Sequence, residues 1–183
     1  MRALLALPML VCLSASATEF NTVDADHSSL VFVYRQMGVP VDGRFRKFSA
    51  QISFDPARTN AARAVIAIDL ASVDTGSAEG DDAVAGKSWF DSKAFPVARF
   101  VSSAIKPLGG ARYQVTGSLA IKGHTQEISA PFTFSAQAGK AAFDGSLTLR
   151  RADFAIGEGE WSDFDTVAND VQIKFHILAV ARP

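Results

Sequence analysis

One cysteine occurs in 183 residues, Cys12, and it lies within the first seventeen. The rest of the chain therefore has no disulfide framework, no thiol nucleophile and no thiolate metal ligand. Histidine is almost as scarce. His27, His124 and His176 show no metal-ligand spacing, and zinc needs three or four convergent ligands. Charge of one sign is missing too: 18 basic residues balance 19 acidic ones, with no block of like charges. That excludes the electrostatic footprint of a nucleic-acid binder or of a polybasic membrane-surface protein. There is no Gly-x-Ser-x-Gly elbow and no phosphate-cradling glycine loop. Asp81-Asp82 reads as a helix-start pair, and Glu158 and Glu160 as solvated loop acids. The longest apolar run, Ala3 to Leu13, falls short of the roughly 20 residues that span a bilayer.

Tyrosine is rare while phenylalanine is not, two against fourteen. Rings that need no hydrogen-bond partner point to an interior. The start has one early positive charge at Arg2, the short apolar run, and the small-residue end Ser14-Ala-Ser-Ala17. These are the parts of a secretory signal peptide, so residues 1–17 are expected to be removed and residues 18–183 to form a single domain. An exported protein without cysteine fits a bacterial periplasm.

From there the dominant signal is a period of two. Leu30, Phe32 and Tyr34 open the series. Phe48, Ala50, Ile52 and Phe54 follow, with Phe45 on the other parity, which predicts a bulge near Arg46. Ala64, Ile66, Ile68 and Leu70 form the next inner face, then Ala98, Phe100 and Ala104. Tyr113, Val115, Gly117, Leu119 and Ile121 come next, then Ile128, Ala130, Phe132 and Phe134. Phe143, Gly145, Leu147 and Leu149 precede the last set, Val171, Ile173, Phe175 and Ile177. Ser77 is placed to cap one short helix over the acidic stretch that follows. The connection Lys87 to Pro96 carries Trp89, Phe90 and Phe95, so it is expected to cap the end of a core rather than run free in solvent. A late loop, Ala155 to Asp170, holds Trp161 and Phe164 behind Phe154, with Arg151 and Asp153 expected to pair.

This pattern predicts an all-β protein: an eight-stranded antiparallel up-and-down barrel with one short helix and an aromatic-rich connection. A barrel of that size is either filled by side chains or holds one small ligand. Inner-face alanines and glycines fit both outcomes, either meshing with large neighbours or widening a cavity. The polar parity of the strands suits water outside a dry interior, not lipid outside a wet one.

Several stretches in fixed order resemble the YceI-like family of bacterial periplasmic, lipocalin-like proteins. They are Asp26-His-Ser-Ser-Leu-Val-Phe32, Gly43-Arg-Phe-Arg-Lys-Phe48, Lys87-Ser-Trp-Phe-Asp91, Phe95-Pro96 with Phe100, Val115-Thr-Gly-Ser-Leu-Ala-Ile-Lys-Gly123, and Arg151-Ala-Asp-Phe154 with Ile156-Gly157. Ala155 stands where the family usually has glycine. The resemblance implies an extended lipocalin-like barrel around a long lipid: a polyisoprenoid, an isoprenoid quinone or a fatty-acid-like amphiphile. The expected lining is then Phe32, Tyr34, Phe45, Phe48, Ile52, Phe54, Ile66 and Ile68 from the first half of the chain. Trp89, Phe90, Phe100, Tyr113 and Val115 continue it, and Phe132, Phe134, Leu147, Phe154, Trp161 and Phe175 complete it. No catalytic residue, metal or cofactor is expected beyond the bound lipid. The other expectations are no nucleic-acid partner, no stable membrane insertion, and a monomer or homodimer.

Overall fold

The structure is a computed structural model that describes residues 19–181; the expected signal segment lies outside them. Among the described residues, ten strands and one α-helix follow one another. The first group is β1 (Phe20–Gln36), β2 (Val39–Phe45), β3 (Phe48–Ser53), β4 (Arg63–Asp69) and β5 (Val73–Asp74). After α1 (Ala78–Ala85) come β6 (Val97–Gly109), β7 (Arg112–Ile121), β8 (His124–Gln137), β9 (Lys140–Arg150) and β10 (Asp170–Ala181). All pairings are antiparallel, in one sheet ordered β3-β4-β6-β7-β8-β9-β10-β1-β2-β5.

The eight-stranded closed barrel expected from the pattern is thus corrected to a ten-stranded, strongly curled sheet. Two interruptions account for the added strands. The second expected strand breaks at Arg46-Lys47 into β2 and β3, and the third breaks at the 3-10 turn Leu70–Ser72 into β4 and β5. The breaks face each other. Arg46 N–H donates to the Ser72 carbonyl, and Lys47 N–H donates to Ser72 Oγ. Because of this step, β2 pairs with β1 while β3 pairs with β4. β1 and β3 lie side by side but form no ladder, and among the described residues the one bridge there joins Phe20 to Phe54, just after β3, so no continuous ladder closes the curl.

Type I′ geometry explains the tight hairpins. Met37-Gly38, Lys122-Gly123 and Ala138-Gly139 all have positive φ at both positions, and the twist of that turn matches the twist of the strands it joins. Pro40 is accommodated in β2 because that part of the strand lies at the sheet edge, where a missing N–H breaks no ladder. Ser77 caps α1 as expected, its side chain accepting from Gly80 N–H at 3.1 Å.

One parity expectation fails. A register shift between Ser102 and Ala104 makes β6 switch faces, so Ile105 is buried and Ala104 is only half-buried.

Candidate functional site

The interior has two packed ends. At one end, Phe54 is 1% exposed, with the rings of Tyr113, Phe132, Phe134 and Phe143 centred 4.9–6.2 Å from it. Phe20, Ile177 and Ala179 complete this aromatic plug. At the other end, Leu70, Leu119, Ile121, Phe154 and Ile156 pack with Trp89 and Phe90 beneath α1 and the loop after β9. Between them runs an apolar lumen of about 360 Å³. That is within the roughly 300–1,000 Å³ of ordinary ligand sites.

Among the described residues, the polar side chains that reach this lumen, Tyr34, Gln36, Thr75 and Arg151, do so at the second end. Gln36 is exposed, and Tyr34, Thr75 and Trp161 are half-buried, whereas Phe54, Phe132, Phe143 and Ile177 at the plug are closed to solvent. The mouth is therefore at the α1 end. Burial there holds the Tyr34 phenol above its usual pKa, which keeps it neutral.

Small residues serve two purposes. A Cβ at Gly43, Gly117 or Gly145 would occupy the place of the Phe32, Phe100 or Phe175 ring, so these glycines let the rings lie flat on the wall. Ala64, Ala98 and Ala130 instead face the lumen directly.

The cap over the mouth is organised by Arg151, which is 3% exposed. Its five N–H groups donate to five backbone carbonyls. Nε reaches Ala168 at 3.2 Å, Nη1 reaches Ile156 and Gly157 at 2.8 and 2.9 Å, and Nη2 reaches Trp161 and Val167 at 2.6 and 2.8 Å. Its Cζ also lies 5.5 Å from the Trp89 ring centre and 5.1 Å from that of Phe164. A side chain at Gly157 would collide with this guanidinium, and the φ of +78° there favours glycine as well. Asp153 pairs with Arg150 rather than Arg151, which corrects the expected ion pair. Ala155, at φ 52°, adopts the left-handed conformation that glycine would take without strain. Lys122 braces the same loop, its Nζ donating to the Ala155 carbonyl and to Glu158, both at 2.7 Å. That bond lowers the Glu158 pKa.

The connection after α1 is tied to this cap. Gly157 and Glu158 N–H both donate to the Ser88 carbonyl, next to Trp89. Trp89 and Trp161 approach at 5.6 Å. Phe95, expected in the cap, is instead 38% exposed.

Of the expected lining residues, the structure brings all but two to the lumen. Phe32, Tyr34, Phe45, Phe48, Ile52, Phe54, Ile66, Ile68, Trp89, Phe90 and Phe100 line it, as do Val115, Phe132, Leu147, Phe154, Trp161 and Phe175. Tyr113 and Phe134 lie on the inner face but belong to the plug. Ile105, Val84 and Val167 also line the lumen and were not anticipated. The helical spacing of Gly80, Ala83 and Val84 was the available signal for α1.

Among the described residues, no three His, Cys, Asp or Glu side chains converge on a point where a metal could sit, and no helix is long and apolar enough to cross a membrane. His27 and His176 instead contact Asp24 and Asp144 on the surface, at 2.9 and 2.6 Å.

Comparison with known proteins agrees with this architecture. The chain is 48% identical to Burkholderia cenocepacia BcnA, whose crystal structure superposes with a TM-score of 0.85 over 86% of this chain and 99% of that one. A UPF0312 protein of Pseudomonas syringae pv. tomato is 32% identical, covering 82% of this chain and 84% of its own. A polyisoprenoid binding domain from Saccharophagus degradans shares the fold at a TM-score of 0.70 and 19% identity, over 90% of this chain and 99% of that one. The YceI-like domain model matches residues 22–179, and this chain belongs to the YceI-like family.

Proposed function

We propose that this protein is a periplasmic, non-enzymatic carrier that holds a long apolar lipid, a polyisoprenoid or an isoprenoid quinone, inside the curled sheet. The observation that carries this reading is the lumen itself. It is lined by Phe, Ile, Leu and Val along its length, sealed at one end and open at the other. Each methylene buried there contributes about 0.8 kcal/mol, so a long chain binds without many polar contacts. The polyisoprenoid-binding relative supports the ligand class. Export rests on the N-terminal segment.

A fatty acid is the less suitable ligand. A carboxylate in the lumen needs a cation with a free N–H, and among the described residues Arg151, the one cation lining the lumen, has all five N–H groups engaged. The test is mass spectrometry of organic extracts from protein purified out of the periplasmic fraction. An isoprenoid lipid in stoichiometric amount and an N-terminus at Thr18 are expected. Protein that carries only phospholipid background, or that stays in the cytoplasm, refutes the proposal.

A further inference from the structure

Among the described residues, Met37 and Val39 are the most exposed large apolar side chains, at 78% and 61%. They flank Gly38 at the tip of the β1–β2 hairpin. Met37 holds the first position of the type I′ turn at φ 49°, a left-handed conformation that glycine, asparagine and aspartate adopt most readily. Turn geometry and burial therefore both argue against methionine at this position. Pro40 extends the exposed apolar surface along the strand, with Val41 half-buried beside it.

The tip is fixed at the mouth of the lumen. Met37 N–H donates to the Thr166 carbonyl at 2.8 Å, and Ala168 N–H donates to the Arg35 carbonyl at 2.9 Å. Gln36 bridges to Val167, and both residues line the lumen. Arg35 Nη1 donates to the Gly38 carbonyl at 3.0 Å and stiffens the turn. The same backbone bonds bring up the loop that carries Phe164, an exposed ring lying against the Arg151 guanidinium. Met37, Val39 and Phe164 thus share the rim of an opening into an apolar interior.

Charge selects the surface that this rim suits. Phe164 stands between Asp163 and Asp165, and Asp42 and Glu160 belong to the same two segments; all four acids are exposed. Arg35 is the one cation in residues 35–42 and 159–168. An anionic lipid surface repels such a rim, whereas the ammonium groups of zwitterionic heads attract it.

We propose that this rim docks reversibly on a zwitterionic lipid surface. Met37 and Val39 enter the apolar boundary while Asp163 and Asp165 stay among the ammonium-bearing headgroups. This rests on the lipid-carrier reading and adds the place where cargo is exchanged. With the mouth against the bilayer, a lipid passes between membrane and lumen without exposing its chain to water. The apolar tip is small, so the docking is weak enough to release.

The test is flotation of the full mature chain, residues 18–183, with phosphatidylcholine vesicles. The parent should float with them. The double variant Met37→Asn, Val39→Thr should float about tenfold less, the scale of one or two apolar side chains withdrawn from a lipid interface. Asparagine suits the turn and threonine the strand, so melting temperature and co-purified lipid should stay unchanged. Leu108→Thr is the control: Leu108 is also exposed, on the β6–β7 hairpin at the plug end, and flotation should not depend on it. Replacing half the phosphatidylcholine with phosphatidylglycerol should weaken binding. Parent protein that ignores the vesicles, as it would if the rim met a protein partner instead, overturns the inference. So does a double variant that floats as well as the parent, an equal loss in Leu108→Thr, or tighter binding to the phosphatidylglycerol mixture. Lipid content, read on the same preparations, judges the carrier reading separately.

Discussion

Replacing Arg151 with methionine keeps an unbranched apolar stem and removes the five N–H donors of its guanidinium from the cap. Three of its five carbonyl partners, those of Ile156, Gly157 and Val167, are reached by fully buried bonds. The Ala168 and Trp161 carbonyls are partly buried and can turn to water. Each buried acceptor left unpaired costs about 1–3 kcal/mol, so the gross penalty is about 3–9 kcal/mol. Relief from burying a guanidinium without a counter-ion offsets part of it, and a net loss of about 3–5 kcal/mol is expected. For a domain of this size that lowers the melting temperature by about 6–20 °C. Arg151→Lys supplies three donors for five acceptors and should fall between the two. The control is Arg150→Met, whose partner Asp153 sits in an exposed ion pair, and which should cost under about 1 kcal/mol. The assays are thermal melts followed by circular dichroism, and limited proteolysis across residues 156–168. If Arg151→Met melts within a degree or two of Arg150→Met and the loop stays resistant, the account of the cap is wrong.

Two further outcomes follow from the geometry. Asp74 is bonded by Arg44 at 2.8 Å and by Gly76 N–H, in that order of effect, and its pKa is held below the usual carboxylate value. A depressed folded pKa gives stability that is complete above the unfolded pKa of about 4 and is lost as pH falls through the folded value. Asp55 beside Arg58 and Glu158 beside Lys122 act in the same direction. Melts from pH 7 down to 2.5 should therefore drop most steeply below about pH 4. Asp74→Asn should be less stable at neutral pH but show a shallower acid limb, and parallel acid limbs would count against the assignment. Ala130→Phe projects a ring into the lumen, so lipid content should fall several-fold with little change in melting. Ala179→Phe, in the plug at 0% exposure, should instead overpack and cost about 1–3 kcal/mol. Equal melting losses in the two variants would mean the lumen is part of a filled core.

Alternation made the inner faces of β7, β8, β9 and β10 readable, because a two-residue period follows directly from the pleat. The first half of β1 escaped. Asn21 to Ser29 is largely polar on both faces and carries a register shift between Asp24 and Ser29. β2 was hidden by Pro40 and Gly43, residues that argue against a strand unless it runs along an edge. The bulge at Ser102–Ala104 left no mark in residue type. Tyr113 and Phe134 show a different limit: parity gives the face of a side chain, but its depth along the lumen depends on the stagger between strands. Arg151 was the hardest to read, since backbone carbonyls have no signature in sequence and the nearest acid, Asp153, belongs to Arg150.

The rings of Phe32, Phe100 and Phe175 rest where the backbone of Gly43, Gly117 and Gly145 offers no Cβ. With the main chain directly behind them, they cannot retreat further into the wall, and their only free direction is inward. The bore of the lumen consequently has a hard upper limit and a soft lower one. An alanine at any of the three glycines would meet both the ring and a backbone carbonyl, of Asp74, Val101 or Pro131, so the wall itself would have to shift.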